Sequence, residues 1–501
     1  MIAKISTICF AAIDVIEIEV EVHFARAKPE LTIVGLCNKA ISESRDRIKA
    51  SFNSLGITLP PRKITVNLAP ADILKEGTHY DLAIALGILI LLDVLKQEML
   101  NCYIVLGELS LDGSIRHVNG VLPAAMHAAI NKKGLICPFV NGEEAIWAGE
   151  SLDILAAESL LSIINHLKNI NQIPRPLINT NFDNIISKDI ADVKGQVAAK
   201  YALEVAASGA HNILIIGPPG TGKSMLASRI MGILPPLSLE ETLEVNMIHS
   251  VAGLIKKGAL VTSRPFRCPH HSASMPSIIG GGRFAKPGEI TIAHRGVLFL
   301  DELAEYPRQI LDSLRQPLEV GNISIARVNS RITYPARFQL VAAMNPCQCG
   351  YYGIRPCAKG SVCFKKYQSR ISGPLLDRID IFVKMSYDKY KFSYNQLDSE
   401  NNETSEEVRA RVALVRNMQL ERYKDYNIKN NAELNDYLLR KFCMPRNNDA
   451  IDLLNKMTER MSMRSITRIL KVARTIADMR FGDLVTKKDI LLASVFKKEV
   501  F

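Results

Sequence analysis

Gly217-Pro-Pro-Gly-Thr-Gly-Lys-Ser224 is the stretch that decides the fold. It follows an apolar run, Asn212-Ile-Leu-Ile-Ile216, and opens into Met225-Leu-Ala-Ser-Arg-Ile-Met231, a run suited to a helix. Strand, glycine loop and helix in that order are the context a phosphate-binding loop requires. Gly217, Gly220 and Gly222 permit backbone angles and close approaches that a side chain would block. The loop N–H groups can then face an anion, with Pro218, Pro219 and Thr221 completing the cradle. In this reading Lys223 reaches the terminal phosphates of ATP, and Ser224 supplies the hydroxyl that ligates Mg²⁺.

Two further strand ends belong with this loop. Val297-Leu-Phe-Leu-Asp-Glu302 is four apolar residues followed by two acids, the pattern of a buried parallel strand ending in charge. Asp301 is placed to hold the Mg²⁺ shell, and Glu302 to orient or deprotonate the attacking water. Phe338-Gln-Leu-Val-Ala-Ala343 ends at Met344-Asn345, so the Asn345 amide stands where it would position that water. Strand tips at one edge are where open α/β sheets place their chemistry. Between these two strands, two alternating runs meet at Asn329-Ser330 and predict a β-hairpin. Arg327 and Arg331 flank its tip, either as contacts to nucleic-acid phosphates or as solvated charges.

Four of the ten cysteines follow: Cys347, Cys349, Cys357 and Cys363. Interleaved Gly350, Gly353, Pro356 and Gly360 argue against helix or strand there. Four thiolates on a short loop can close a tetrahedral Zn²⁺ site; the alternative is a reduced cysteine-rich loop. Arg378 lies in a polar turn between apolar residues, placed either to reach a neighbour's nucleotide or to pair with Asp377 or Asp380. Thr404-Ser-Glu-Glu407 fits a capping box ahead of a long helix. Arg464 sits at the start of another helix, either as a cation folded over a nucleotide to sense its γ-phosphate or as a surface arginine.

The chain of 501 residues is long enough for about two to four domains. Its 48% apolar and 23% charged residues are a soluble globular composition. The net charge of +11 permits nucleic-acid or acidic partners. The longest apolar run, Leu82 to Leu92, is too short to span a bilayer. Ile16 to Val22 alternates as a strand, which reads as the start of a domain and not as a cleaved leader. A cytoplasmic protein without a membrane partner is expected. Residues 1–170 read as an α+β domain. Residues 171–190 read as a linker, 191–387 as the ATPase core, 388–403 as a polar linker and 404–501 as a helical domain.

Together with the phosphate loop, several runs resemble the ComM/YifB family of magnesium-chelatase-like AAA+ ATPases. They are Arg264-Pro-Phe-Arg-Cys-Pro-His-His-Ser-Ala-Ser274, Pro287-Gly-Glu-Ile290, Gly296 to Leu303, Arg315-Gln-Pro-Leu-Glu319, Ala342 to Cys347 and Ser372 to Asp380. The resemblance covers nearly the whole chain. It implies an α/β AAA+ P-loop module with a zinc-type cysteine loop, a Lon-protease-like α+β domain before it and a C-terminal α-helical lid. It implies that Asn345 is sensor 1, Arg378 the arginine finger and Arg464 sensor 2. The interval before Val297 would hold an insert projecting toward a ring pore. The family includes a hexameric DNA helicase that drives branch migration during recombination of incoming DNA, so a homo-oligomeric ring on branched or single-stranded DNA is expected. Against the Ser-Lys pair of Lon-type peptidases, this chain matches with His79, in Gly77-Thr-His-Tyr-Asp81, and with Leu122. A scaffold is therefore expected there. The alternatives are a chelatase-type motor acting on a protein partner, an ATP-dependent unfoldase or protease, and a slow nucleotide-gated scaffold.

Overall fold

The computed structural model describes residues 2–36, 38–177, 188–255, 259–282, 286–326, 331–351, 360–387 and 403–497. Arg327, Cys357, most of the expected linker before residue 188 and nearly all of the polar linker 388–403 lie outside the described residues.

The first region is a seven-stranded mixed sheet. Its strands are β1 (Ile2–Ala11), β2 (Asp14–Ala25), β3 (Glu30–Val34), β4 (Lys63–Ala69), β5 (Tyr103–Val105), β6 (Gly134–Pro138) and β7 (Ile154–Ala157), in the order β3-β4-β2-β1-β5-β6-β7. β1 pairs antiparallel with β2 along its whole length, from Ile2↔His23 to Ala11↔Asp14. Sequence alternation does not mark β1. Thr7, Ile8 and Cys9 are buried in succession, so both faces of the strand are covered and the period-two signal is lost. Helices α1 (Lys39–Ser54) and α2 (Asp81–Leu91) cover one face, and α3 (Val121–Ile130) covers the other. α2 is apolar nearly all round, and every residue from Asp81 to Ile90 is buried. Its one buried charge, Asp81, receives the Arg47 guanidinium at 2.6 and 3.0 Å.

His79 is buried just before α2, with Nε2 2.9 Å from the Ile8 carbonyl oxygen. Burial pulls its pKa down to about 4, so the ring is neutral near pH 7. Leu122 is buried on α3, and its N–H donates to Glu144 at 3.0 Å.

The second region is a five-stranded parallel sheet. Its strands are β8 (Ile213–Ile216), β9 (Phe266–Arg267), β10 (Val297–Leu300), β11 (Gln339–Met344) and β12 (Ile381–Lys384), in the order β9-β10-β11-β8-β12. β8, β10 and β11 are buried at every residue, as expected of central strands covered on both faces. Their side chains alternate between two cores. Ile213, Ile215, Phe299, Val341 and Ala343 face the helical C-terminal region, whereas Leu214, Ile216, Leu298, Leu300 and Met344 face the opposite side. On that opposite side lie Ile323, Ile325 and Tyr334 of the expected hairpin, whose arms are Asn322–Ala326 and Arg331–Pro335. Ala12, in the β1–β2 turn, belongs to the same core and ties the first sheet to the second region.

The C-terminal region is helical. α4 (Ser405–Tyr423) starts at the expected box: the Glu407 N–H donates to Thr404 Oγ1 at 3.3 Å, and the Thr404 N–H donates to Glu407 Oε2 at 2.8 Å. α5 (Met463–Met479) is capped by Ser462 and packs into the sheet core through Ile469, Val472, Ala473 and Ile476. Among the described residues no helix is long and apolar enough to cross a membrane.

Candidate nucleotide site

The tips of β8, β10 and β11 converge. Gly217 follows β8 and opens the loop, which ends at Gly222 in the left-handed conformation (φ 82°), where a side chain would be strained. A short helix, Lys223–Ser228, begins there. The Lys223 ammonium donates to Gly217 O at 2.8 Å, to Pro218 O at 2.9 Å and to the Asn345 amide oxygen at 3.1 Å. Burial lowers the Lys223 pKa, and Asp301 and Glu302 work against that fall. The Ser224 hydroxyl donates to Asp301 Oδ2 at 2.5 Å, while Asp301 Oδ1 accepts the Glu302 N–H at 2.9 Å. Tyr387, after β12, donates from its hydroxyl to Pro219 O at 2.6 Å. Lys223, Ser224, Asp301 and Asn345 are thus joined by direct hydrogen bonds across three strand ends. A hydroxyl beside a carboxylate suits Mg²⁺, and a half-buried ammonium beside an amide suits the terminal phosphate of ATP.

Glu302 stands next to this group and is half-exposed. Its Oε2 is 3.5 Å from Nδ1 of His271. Sequence reasoning passed over His271, although it lies in one of the runs that carry the family resemblance. The signal was two adjacent histidines after an apolar-basic pair that becomes β9, the strand beside β10.

Arg378 and Arg464 lie elsewhere. Arg378 follows a helical turn, Gly373–Leu376, donates to Pro374 O at 2.7 Å and pairs with Glu319. Arg464 is exposed in the first turn of α5. Both line one cavity of about 830 Å³, together with Glu319, Asp377, Arg468 and Lys471, and no phosphate-loop residue lines it. Four residues after Arg464, Arg468 anchors α5 to the sheet by pairing with Asp380 at 2.9 Å. Asp380 is fully buried and also accepts the Asn212 N–H at 3.1 Å. The pairing of Arg378 with Asp377 or Asp380 that its local sequence allowed is replaced by Glu319, from a different helix.

Cys347, Cys349 and Cys363 place their sulfurs within 4.8 Å of one another, and the first two are 3.0 Å apart. Three thiols gathered this way can hold a thiophilic metal ion. Cys363 lies within a helix, Gly360–Gln368, which corrects the expectation that the glycines and proline would keep the whole stretch irregular. Gly360 is its first residue, and no glycine or proline follows within it. A Cβ on Gly350 would come within 2.7 Å of Pro219 Cδ, so the cysteine segment is seated directly on the phosphate loop.

Three family models match the chain. Magnesium chelatase, subunit ChlI, matches residues 189–392; subunit ChlI of Mg-chelatase matches 20–141; and the subunit ChlI C-terminal model matches 402–497. The chain is 42% identical to "Competence protein ComM" of Haemophilus influenzae over 92% of this chain and 91% of the relative. It is 41% identical to "Uncharacterized protein YifB" of Escherichia coli over 94% and 92%. Similarity to the "Magnesium-chelatase 67 kDa subunit" of Heliobacterium mobile, 26% identical, is confined to 33% of this chain. With its ATP-hydrolysing core assembled as described, the chain belongs to the ComM/YifB family of magnesium-chelatase-like AAA+ ATPases.

Proposed function

We propose that the chain is an ATP-driven, ring-forming DNA motor, a helicase that promotes branch migration in recombination of incoming DNA. One observation carries the reading. Arg378 and Arg464 share a cavity that no residue of their own phosphate loop lines, which suits arginines that serve the nucleotide of a second copy. Repeating that head-to-tail contact closes a ring, expected to be a hexamer. In each site Lys223 and the loop amides hold the phosphates of ATP, and Ser224 and Asp301 hold Mg²⁺. Glu302 activates water, Asn345 orients it, and the neighbour's Arg378 and Arg464 meet the charge developing on the γ-phosphate.

DNA enters through charge. The net charge of +11 and the arginines that flank Asn329-Ser330 in the sequence, Arg327 and Arg331, suit a strand backbone in a central pore. The name of the Haemophilus relative, a competence protein, supports a role in handling incoming DNA. The three thiols beside the phosphate loop would hold Zn²⁺ as a structural ion, with Cys357 as a fourth ligand. The residues at the Lon-type positions, His79 and Leu122, leave the first domain a scaffold and not a peptidase.

ATP turnover, measured with and without a four-way DNA junction at low and physiological salt, tests the reading. Junction DNA is expected to stimulate turnover, and labelled strands to be released. Both effects should weaken as salt rises and vanish in Glu302→Gln. A second reading, a chelatase-type motor acting on a protein partner, draws on the three ChlI-type matches. Turnover indifferent to every DNA structure would favour it.

A further inference from the structure

We propose that the cavity lined by Arg378 and Arg464 is a polyphosphate-binding site in which Lys471 is the innermost cation. The site stands apart from the DNA reading and is formed within one copy.

Arg464, Arg468 and Lys471 fall at i, i+4 and i+7 of α5, so they share one face of that helix. The opposite face packs Val472, Ala473 and Ile476 into the sheet core. Arg468 is committed to Asp380. Arg464 is exposed, whereas Lys471 is only 8% exposed. An ammonium has three N–H donors. Lys471 gives one to the Ala432 carbonyl oxygen, at 2.9 Å, and forms no ion pair among the described residues. Burial, and after it Arg468, lowers its pKa to about 8, against the pull of Asp380, Cys443 and Asp436. A buried charge is ordinarily paired, because leaving water costs it several kcal/mol in the order-of-magnitude sense. This one keeps two donors for an anion that the chain itself does not supply.

A second helix adds to the charge. Arg440, in the last turn of the helix Asp436–Phe442, is exposed and lines the same cavity. Neither its side chain nor that of Arg464 has a partner among the described residues. Three cations from two helices therefore line a space of about 830 Å³ without a carboxylate bonded to any of them, and Arg378 lines it too. Asp377 and Asp436 also face this space, so its charge is not wholly positive. Phosphate oxygens accept from guanidinium and ammonium groups together, and a chain of phosphates carries enough charge to meet all three cations. A lone carboxylate would meet one. Two sources offer this chemistry: the nucleotide held by a neighbouring copy, or a free polyphosphate.

Inorganic tripolyphosphate is the probe, titrated calorimetrically into full-length Lys223→Ala, whose own phosphate loop is disabled. A single site per chain is expected. Adding Lys471→Met, which keeps the length and removes the charge, should weaken binding by at least about ten-fold. Adding Lys132→Met instead, at an exposed lysine of the first domain, should leave binding as it was. If Lys471→Met lowers the melting temperature, Arg440→Ala, at an exposed position, decides in its place, with a several-fold weakening expected. No binding by Lys223→Ala overturns the site. So does binding indifferent to the deciding substitution, or an equal weakening by Lys132→Met. Glu302→Gln filled with ATP then separates the two sources. Tripolyphosphate excluded from the filled assembly means that the neighbours' nucleotides occupy the cavity. Tripolyphosphate still bound at one per chain means a free polyphosphate site, and the reading of Arg378 and Arg464 as partners of a neighbour's nucleotide then falls.

Discussion

The phosphate-loop cradle and the Arg378/Arg464 cavity hold opposite kinds of half-site. In the cradle, the polar groups of three strand tips close on one another: Lys223 with Asn345, and Ser224 with Asp301. In the cavity, one arginine is exposed and the other is turned toward a single partly exposed glutamate. The cradle is built from the rigid parallel sheet. The cavity lies where a turn meets the helix α5, which is tied to the sheet by its apolar face and by the Asp380–Arg468 pair. The difference teaches how the chain divides its labour. On the proposed reading, what holds the nucleotide sits within one copy, and what responds to its γ-phosphate serves the next.

Mixing two dead variants would break this comparison most directly. Lys223→Ala and Arg378→Ala alone should each lose at least about 100-fold in ATP turnover. If the two half-sites belong to different copies, an equal mixture contains intact sites. A site survives when the subunit giving the loop and the neighbour giving the arginine are both unmutated at that position. Random assembly makes about a quarter of sites intact, so about a quarter of wild-type turnover should return. No recovery, in an assembly shown by mass to be mixed, would place Arg378 in the site of its own chain.

Legibility in the sequence divided along the same line. The cradle was readable because strand, glycine loop and helix are contiguous, and because runs of four apolar residues ending in Asp-Glu or Met-Asn leave few alternatives. Arg378 and Arg464 could be named but not placed, since their partners, Glu319 and each other, are distant in sequence. The nearness of His271 to Glu302 was invisible for a similar reason: it depends on β9 lying beside β10, a pairing no periodicity encodes. β1 was passed over because burial on both faces removes alternation. The helix at Cys363 was passed over because glycine and proline just upstream dominated the local reading.

The Asp380–Arg468 pair allows a sharper test, of whether the cavity depends on the lid helix being pinned. Burial works against the Asp380 charge, but Arg468 and His211 outweigh it and hold the carboxyl well below its ordinary 3.8. A carboxylate with a depressed folded pKa stabilises the fold above its unfolded pKa, and that contribution is lost as pH falls below it. Asp380→Asn leaves Arg468 without its counter-charge and should cost about 3 kcal/mol at pH 7. Denaturant titrations should show the gap from wild type closing as pH drops below about 3.8. A gap that persists in acid would mean the aspartate acts through its hydrogen bond to the Asn212 N–H and not through charge. Turnover should fall along with stability, because α5 carries Arg464.

Glu319→Gln probes the smallest effect and the direct partner of Arg378. Glu319 is 59% exposed on its side chain and Arg378 only 14%, so the pair sits at the cavity rim, where solvent screens it. Such a pair is worth about 0.2–1 kcal/mol, and melting temperature should move little. The functional consequence has a definite sign. If Arg378 must leave Glu319 to reach a neighbour's phosphate, neutralising the glutamate removes that competition and kcat should rise by about two-fold. If Glu319 instead aims the guanidinium, kcat should fall by a similar factor. Arg378 retains Pro374 O as an acceptor in either case, so the arginine stays ordered and the sign of the change reports competition against aiming. A rise would also show that the Arg378 half-site is held in reserve by a partner of its own.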